Sequence, residues 1–350
     1  VRTGFLKRLE WVGKILFAVL VAALAWRPGR RSRARARLSQ VRRVLLVRID
    51  NRVGEALLTT PVVDRLAGRG LEVHVLVHPK VRRVLEGHPR VAKLWSFEKR
   101  WGVLRALRAE RFDAVVNCGN WDLESVTSAV VARLAGGAGA VLGPANFPSG
   151  WLMDVPVPAR EGTRSEAEQR AHLVAPLSPS MGPARLSFRE TAPFTVVEGR
   201  YAVVNPGGRL GFRRVAPELF AVAAKALLAR GVTPVVTWGP GEEALVDQVC
   251  AACPGAVRAP PTTLDQLAAL MRGAVLSVTN NTGPMHLSVA VGCPTVALFL
   301  RMELERWGHP YPPHAMVDLT PVVDGGGDVA AVVEGAVVEA LERRGAAARA

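Results

Sequence analysis

Cysteine is scarce in this sequence. Four in 350 residues are too few for a disulfide scaffold, and a reducing compartment is the default. The 33 glycines and 25 prolines follow no fixed period, which excludes collagen-like and mucin-like chains. Charged residues reach only 21% against 49% hydrophobic, so whole-chain disorder is excluded as well. What remains is a globular chain able to form a sizeable core, and its 350 residues suggest about two domains.

The net charge of +15 is not spread over that core. Residues 1–50 hold thirteen basic and two acidic side chains, a net +11, which leaves +4 for the other 300. Broad nucleic-acid binding by the folded body loses its support, and no nucleic-acid partner is expected. The basic tail has an apolar centre, since Ile15 to Trp26 is twelve residues without a charge. A helix needs about 20 apolar residues to span the hydrocarbon. A full span would require Lys14 to snorkel. An in-plane helix with Trp11 and Trp26 near the headgroups fits the length better. A signal peptide starts in a similar way, but here RPGRRSRARAR follows, with six arginines in eleven residues. Such a cluster tends to stay cytoplasmic and attracts anionic lipid. Residues 1–40 are therefore expected to attach the chain to an anionic membrane surface. The alternative is a solvated basic linker after a buried helix.

The body alternates strands and helices. Residues 41–49 read as a buried strand, an apolar run between charged ends. A helix is expected over 55–67, strands over 71–77, 90–97 and 112–117, and helices over 101–110 and 125–134. Residues 143–195 break the rhythm with Pro, Gly and Ser and a polar section of helical character over 161–177. They are read as the end of the first domain and a connection, so the domains run 41–195 and 196–350. The alternation restarts with strands over 201–207, 232–239, 274–280 and 293–300. Helices are expected over 217–231, 241–252 and 263–272, from Thr282, and over 329–344. Two tandem α/β domains with parallel sheets predict a central cleft, with ligands beyond the carboxyl ends of the strands.

Three stretches concentrate polar residues at such strand ends. In RIDNRVGEALLTTP, Asp50, Asn51 and Arg52 leave the first strand, Gly54 permits a tight turn and Glu55 opens a helix. The helix dipole alone accounts for an acid there; a general base at the floor of a cleft accounts for it equally well. In NPGGRLGFRRVAPE, Asn205 is followed by Gly207 and Gly208, then by Arg209, Arg213 and Arg214. Glycine N–H groups and arginines before a helix suit a phosphate-like anion; a plain loop with surface arginines is the alternative. In TNNTGPMHLSVAVGCP, Asn280 and Asn281 end a strand, and Thr282 and Gly283 start a helix that is an anion site in form. His286 shares a face with Thr282, and a lone histidine is more often a packed core residue than a catalyst. Cys250 and Cys253 form one CxxC at a helix end, with no second pair to complete a zinc site. They are read as ordinary thiols.

Together these stretches carry a resemblance. TNNTGPMHLSVAVGCPTVALF (279–299) resembles the C-terminal signature of the glycosyltransferase family 9 heptosyltransferases. RIDNRVGEALLTTPVV (48–63) resembles its N-terminal signature, and NPGG with RRVAPELF, then WGPGEE (238–243), resemble its two intermediate motifs. The similarity covers about 42–345. It implies the GT-B fold, with two Rossmann-like domains facing a central cleft, here preceded by the hydrophobic and basic segment. It further implies an inverting transfer of heptose from ADP-heptose to the lipopolysaccharide inner core or another lipid-linked saccharide. No metal and no cofactor are expected, and the chain has no obvious DxD motif.

By the same resemblance, Glu55 stands where the family has an aspartate base, and Arg213 where it has a donor-side lysine. Asp50, Asn51 and Arg52 would meet the acceptor. The donor would meet Asn205, Gly207, Gly208, Arg209, Arg214, Glu242 (near the ribose), Asn281, Thr282, Gly283 and His286. The family's Asp-Thr-Gly reads Asn281-Thr282-Gly283 here, so one carboxylate is absent. Two other outcomes stay open: a silent nucleotide-sugar- or saccharide-binding scaffold, and a transferase using another nucleotide sugar. The implied location is the cytoplasmic face of the inner membrane, held peripherally or by the N-terminal segment.

Overall fold

The computed structural model describes residues 2–98, 102–121, 125–179, 182–208, 211 and 214–347. The chain divides into two compact units, Val1–Arg185 and Leu186–Ala350. The border expected from the sequence lies between 195 and 196, so residues 186–195 go with the second unit.

In the first unit, α1 (Arg2–Ala25) and α2 (Arg30–Ala36) precede β1 (Arg43–Arg48). Next come α3 (Val53–Leu57), α4 (Thr60–Ala67), β2 (Glu72–Val77), α5 (Arg82–Leu85) and β3 (Lys93–Ser96). α6 (Gly102–Ala109), β4 (Ala114–Asn117), α7 (Val126–Gly136), β5 (Ala140–Pro144), β6 (Val155–Val157) and α8 (Glu166–His172) complete it. The six strands are ordered β3-β2-β1-β4-β5-β6, and all neighbours are parallel. Val44 to Val47 of β1 are fully buried, as a central parallel strand covered on both faces requires.

Two expectations are corrected here. The helix over 55–67 is two helices, because Pro61 cannot donate to the carbonyl four residues before it. The Thr60 hydroxyl donates to the Leu57 carbonyl instead, at 2.8 Å. The stretch from 143 onward reads in the sequence as the end of the first domain and a connection, with no strand expected in it. It holds the end of β5 and all of β6, a short edge strand that tolerates Pro156.

The second unit begins with β7 (Tyr201–Asn205), α9 (Pro217–Leu228), β8 (Thr233–Val236), α10 (Glu243–Ala252) and β9 (Val257–Arg258). α11 (Leu264–Gly273), β10 (Leu276–Asn280), α12 (Gly283–Ala290), β11 (Thr295–Phe299) and α13 (Leu304–Trp307) follow. β12 (Ala315–Asp318), α14 (Thr320–Asp324) and α15 (Val329–Ala347) close it. Its sheet order is β12-β11-β10-β7-β8-β9, again parallel throughout. Counted from its own first strand, this is the same 3-2-1-4-5-6 order as in the first unit, the doubly wound nucleotide-binding arrangement. Each sheet reverses its winding between its first and fourth strands, and a crevice for ligand lies at that point.

α1 belongs to the first unit's core. Ala18 (2% exposed) and Val21 (7%) pack in the cluster that holds Val130 of α7 and Leu152. No single helix among the described residues is long and apolar enough to cross a membrane. Trp11–Ala25 with Arg30–Ala36 pass that test only as a pair bent by 75°.

Candidate functional site

At the first unit's switch point, β1 ends on Arg48 and β4 ends on Asn117, so both strands deliver polar groups to one place. Arg48 is buried, and its Nη1 donates to Asn120 Oδ1 at 3.0 Å and to the Cys118 carbonyl. Its Nε lies 2.5 Å from Asp50 Oδ2, and its Nη2 pairs with Glu55 Oε2. Arg170, fully buried on α8, pairs with the same Glu55 oxygen. Its Nη1 donates to the Glu55 carbonyl at 2.9 Å, and its Nη2 to Asn120 Oδ1 at 3.0 Å. Its Nε donates to Glu166 Oε1 at 3.0 Å. Arg52, 42% exposed, closes the clamp 3.1 Å from Glu55 Oε1.

Glu55 is therefore a buried carboxylate held by three guanidinium groups. Burial would raise its pKa, but Arg170, Arg48 and Arg52 outweigh burial and pull it down to about 2. Arg170 is buried too, yet Glu55 and Glu166 hold its pKa above the ordinary value. Cys118 is pushed up to about 11 by burial, so it stays a thiol.

The expected acceptor-side residues divide. Asp50 and Arg52 join the Glu55 cluster, while Asn51 is exposed beside it. Arg48, Asn120, Glu166 and Arg170 complete the cluster and were not singled out from the sequence. Arg48 had a visible signal, a charge closing an apolar strand. Arg170 and Glu166 had none, because a polar helix normally faces water.

At the second unit's switch point, β7 ends on Asn205 and β10 on Asn280. The Asn205 amide donates to the Thr237 carbonyl and hydroxyl, at 3.2 and 3.1 Å. Asn280 Nδ2 donates to the carbonyls of Pro206 and Gly207, at 2.8 and 3.1 Å, while its Oδ1 accepts from the Val215 N–H at 2.9 Å. The Glu242 carboxylate accepts from the N–H groups of Gly208 and Gly239, at 2.7 and 2.8 Å. It sits where a side chain on Gly207 would be, since a Cβ there would lie 2.1 Å from Glu242 Oε2. Gly208 is equally confined, with Arg214 and Thr282 side chains 3.0 and 3.1 Å from where its Cβ would stand.

Gly208, Arg214 and Thr282 thus meet at the start of α12. Thr282 is the N-cap residue in an extended conformation and makes no side-chain cap bond. Pro284 has no N–H, and the Met285 and His286 N–H groups bond to the Thr282 carbonyl, so the Gly283 N–H is the one in this first turn without a partner among the described residues. Arg214 is half-buried and has no carboxylate partner among the described residues. Asn281 and Gly283 flank Thr282, both half-buried. The Gly283 N–H, a helix N-terminus and a guanidinium with no carboxylate partner among the described residues are groups of the kind that suit an anion. Arg209 and Arg213 lie outside the described residues.

His286 is buried one turn further along. Its Nδ1 is 2.9 Å from His309 Nε2. Burial, with His286 and His314 nearby, holds His309 well below the ordinary imidazole pKa, so His309 is neutral. Among the described residues no group of His, Cys, Asp or Glu is arranged to hold a metal ion, and the four cysteines are free.

Comparison with known proteins gives concordant results. The sequence model of glycosyltransferase family 9 (heptosyltransferase) matches residues 100–320. A lipopolysaccharide heptosyltransferase 3 of Escherichia coli is 25% identical over 275 residues, 70% of this chain and 80% of that protein. The crystal structure of a family 9 glycosyltransferase from Veillonella parvula superposes with a TM-score of 0.73 at 19% identity, covering 87% of this chain and 97% of that one. The Escherichia coli heptosyltransferase WaaC with ADP-2-deoxy-2-fluoro heptose superposes with a TM-score of 0.66 at 20% identity, covering 86% and 99%.

Proposed function

The chain belongs to glycosyltransferase family 9 and is a transferase of the GT-B fold, and we propose that it moves a heptose from ADP-heptose to a lipopolysaccharide inner-core or similar lipid-linked saccharide. The observation that carries the donor assignment is the anion pocket at α12. A pyrophosphate needs N–H donors and positive charge where the leaving group develops its charge. Thr282, Gly283 and Arg214 offer both, and Glu242 braces the glycine loop beside them. Support also comes from the relative whose structure carries an ADP-heptose analogue. Arg209 and Arg213 add charge to the same loop in sequence.

Glu55 is the proposed acceptor-side base, and transfer is proposed to invert the anomeric centre. A carboxylate with a pKa of about 2 is ionised throughout the physiological range but is a weak base. It suits a late proton transfer. As the acceptor hydroxyl bonds to the anomeric carbon its oxygen becomes a strongly acidic oxonium, which even a weak base deprotonates. Arg48 and Arg170 would fix the carboxylate for that step, and Arg52, the most exposed of the three, lies on the side open to the acceptor.

Attachment to the cytoplasmic face of a membrane is part of the same proposal. From Ile15 to Ala25, α1 carries no charge and is apolar on every face. One stripe with Ala18 and Val21 is covered, while Trp11, Leu16, Leu20 and Leu24 (69%) are exposed. A helix apolar on every side needs a partner on every side. Because one stripe is committed to the core, α1 would lie flat rather than span. Exposed Phe147 and Trp151, edge to face at 5.0 Å, extend the surface beside it.

Calorimetry with ADP-heptose, ADP, UDP-sugars and GDP-sugars tests the donor. Selective binding of ADP-heptose is expected. Preference for another nucleotide sugar would replace the donor while leaving the family unchanged.

A further inference from the structure

The first unit has a polar concavity at the other end of its sheet from Glu55. It is a cavity of about 960 Å³ where α1 ends, α2 crosses, and β4 and β5 begin. Six arginines and two aspartates line it. Both aspartates are already engaged. Asp154 pairs with Arg30 and Arg133, each at 2.9 Å, and Asp113 accepts the N–H groups of Arg42 and Arg43, each at 2.9 Å. Among the described residues, Arg27 and Arg108 bond only to backbone carbonyls. Arg33, Arg37 and Arg111 have no carboxylate partner among the described residues. Arg111 also holds φ at 53°, which residues other than glycine seldom adopt.

Arginines converging without counter-charges repel one another until an anion fills the space between them, and a guanidinium fork matches a phosphate. The surroundings indicate which anion. Ala25, the last residue of α1, is part of the cavity wall, and Leu24 and Trp26 beside it are exposed. An apolar surface thus runs up to the rim of a cationic one. A free phosphate uses only the second. A phospholipid uses both.

We propose that this cavity is a headgroup site for an anionic phospholipid, engaged when the apolar face of α1 enters the bilayer. Arg33 on α2, Arg37 at the C-cap of that helix, and Arg111, before β4, would hold the phosphate. The site rests on the attachment proposed above and specifies its lipid.

The test is flotation of the full chain with vesicles of phosphatidylcholine, alone or mixed with phosphatidylglycerol. Two variants of equal charge change are compared: Arg33→Glu/Arg37→Glu, inside the cavity, and Arg31→Glu/Arg35→Glu, on the same helix but outside it. With each basic residue near the surface adding several-fold to binding, the inner pair is expected to lose about tenfold or more of the preference for phosphatidylglycerol, and the outer pair less than about threefold. Equal losses would mean diffuse charge and overturn the site. Wild-type binding that is equal on both vesicles would overturn the site but leave the attachment standing. Flotation with neither would remove both. Displacement by inorganic phosphate, but not by chloride of equal ionic strength, would assign the cavity to a soluble anion and overturn the lipid. If the inner pair does not fold, Arg111→Glu tests the same cavity from a different element.

Discussion

Arg170 and Glu55 stand 115 residues apart in the chain and meet in a buried ion pair, with a second bond from Arg170 to the Glu55 carbonyl at 2.9 Å. One arginine therefore fixes both the side chain and the backbone of the proposed base. Removing one partner of a buried pair leaves the other charged and dry, at a cost of about 3–5 kcal/mol. Arg170→Ala is expected to destabilise the protein by about that amount, as read by denaturant unfolding. A loss below about 1 kcal/mol would show that water reaches the cluster freely.

Glu55→Gln should retain donor binding and lose transfer. The expected fall in kcat is about 10²–10⁴-fold, the usual contribution of a positioned base. The measurement is steady-state transfer beside donor calorimetry on the same preparation. Unchanged kcat would take Glu55 out of the chemistry and leave it a structural acid.

Acid should weaken the wild type through the same residue. The folded pKa of about 2 lies below the ordinary 4.5, so between these values the unfolded chain binds the extra proton. The stabilisation from Glu55 is complete above pH 4.5 and drains away as pH falls towards 2. Unfolding midpoints over that window should fall less steeply with acid in Glu55→Gln than in the wild type. Parallel curves would contradict the depressed pKa.

The donor pocket predicts a different signature. Arg214→Ala removes from beside Gly208 and Thr282 a guanidinium with no carboxylate partner among the described residues. A hydrogen bond to a charged group contributes about 1.5–3 kcal/mol, so nucleotide-sugar affinity should drop about ten- to a hundredfold while the melting temperature barely changes. Gly207→Ala should weaken donor binding too, by driving Glu242 from its seat. Unaltered donor affinity in Arg214→Ala would move the phosphates elsewhere.

On α1, covered and bare positions should respond in opposite ways. Leu16→Glu with Leu20→Glu changes only exposed residues and should release the protein from vesicles without unfolding it. Ala18→Glu, or deletion of residues 1–40, strips the core around Leu152 and Val130 and should lower the melting temperature. A deletion that melts like the full chain would show that the helix is only an appendage.

Much of this was legible in the sequence. The parallel strands announce themselves as apolar runs, and Gly54, Gly207, Gly208 and Thr282 mark the turns where strands hand over to helices. Such signals are local. Arg170 is not local: beyond its i,i+4 pair with Glu166, its partners lie on α3 and after β4, and nothing in a polar helix tells which of its charges will be buried. β6 was hidden by its three-residue length and Pro156, and the break before α4 by a two-threonine detour that only the hydrogen bonds reveal. The role of Ala18 was hidden because a helix apolar on every face does not say which face the protein itself will cover.

The division of α1 between core and surface has a consequence for biosynthesis. Its covered stripe packs on α7, which leaves the ribosome about 100 residues later. At about 5–20 residues per second, that is roughly 5–20 s during which the apolar half of the helix lacks the partner it will pack on. A bilayer is the apolar phase at hand in that interval. Membrane contact would then come before the first domain has folded, and the remaining strands would assemble on a chain already tethered at its destination.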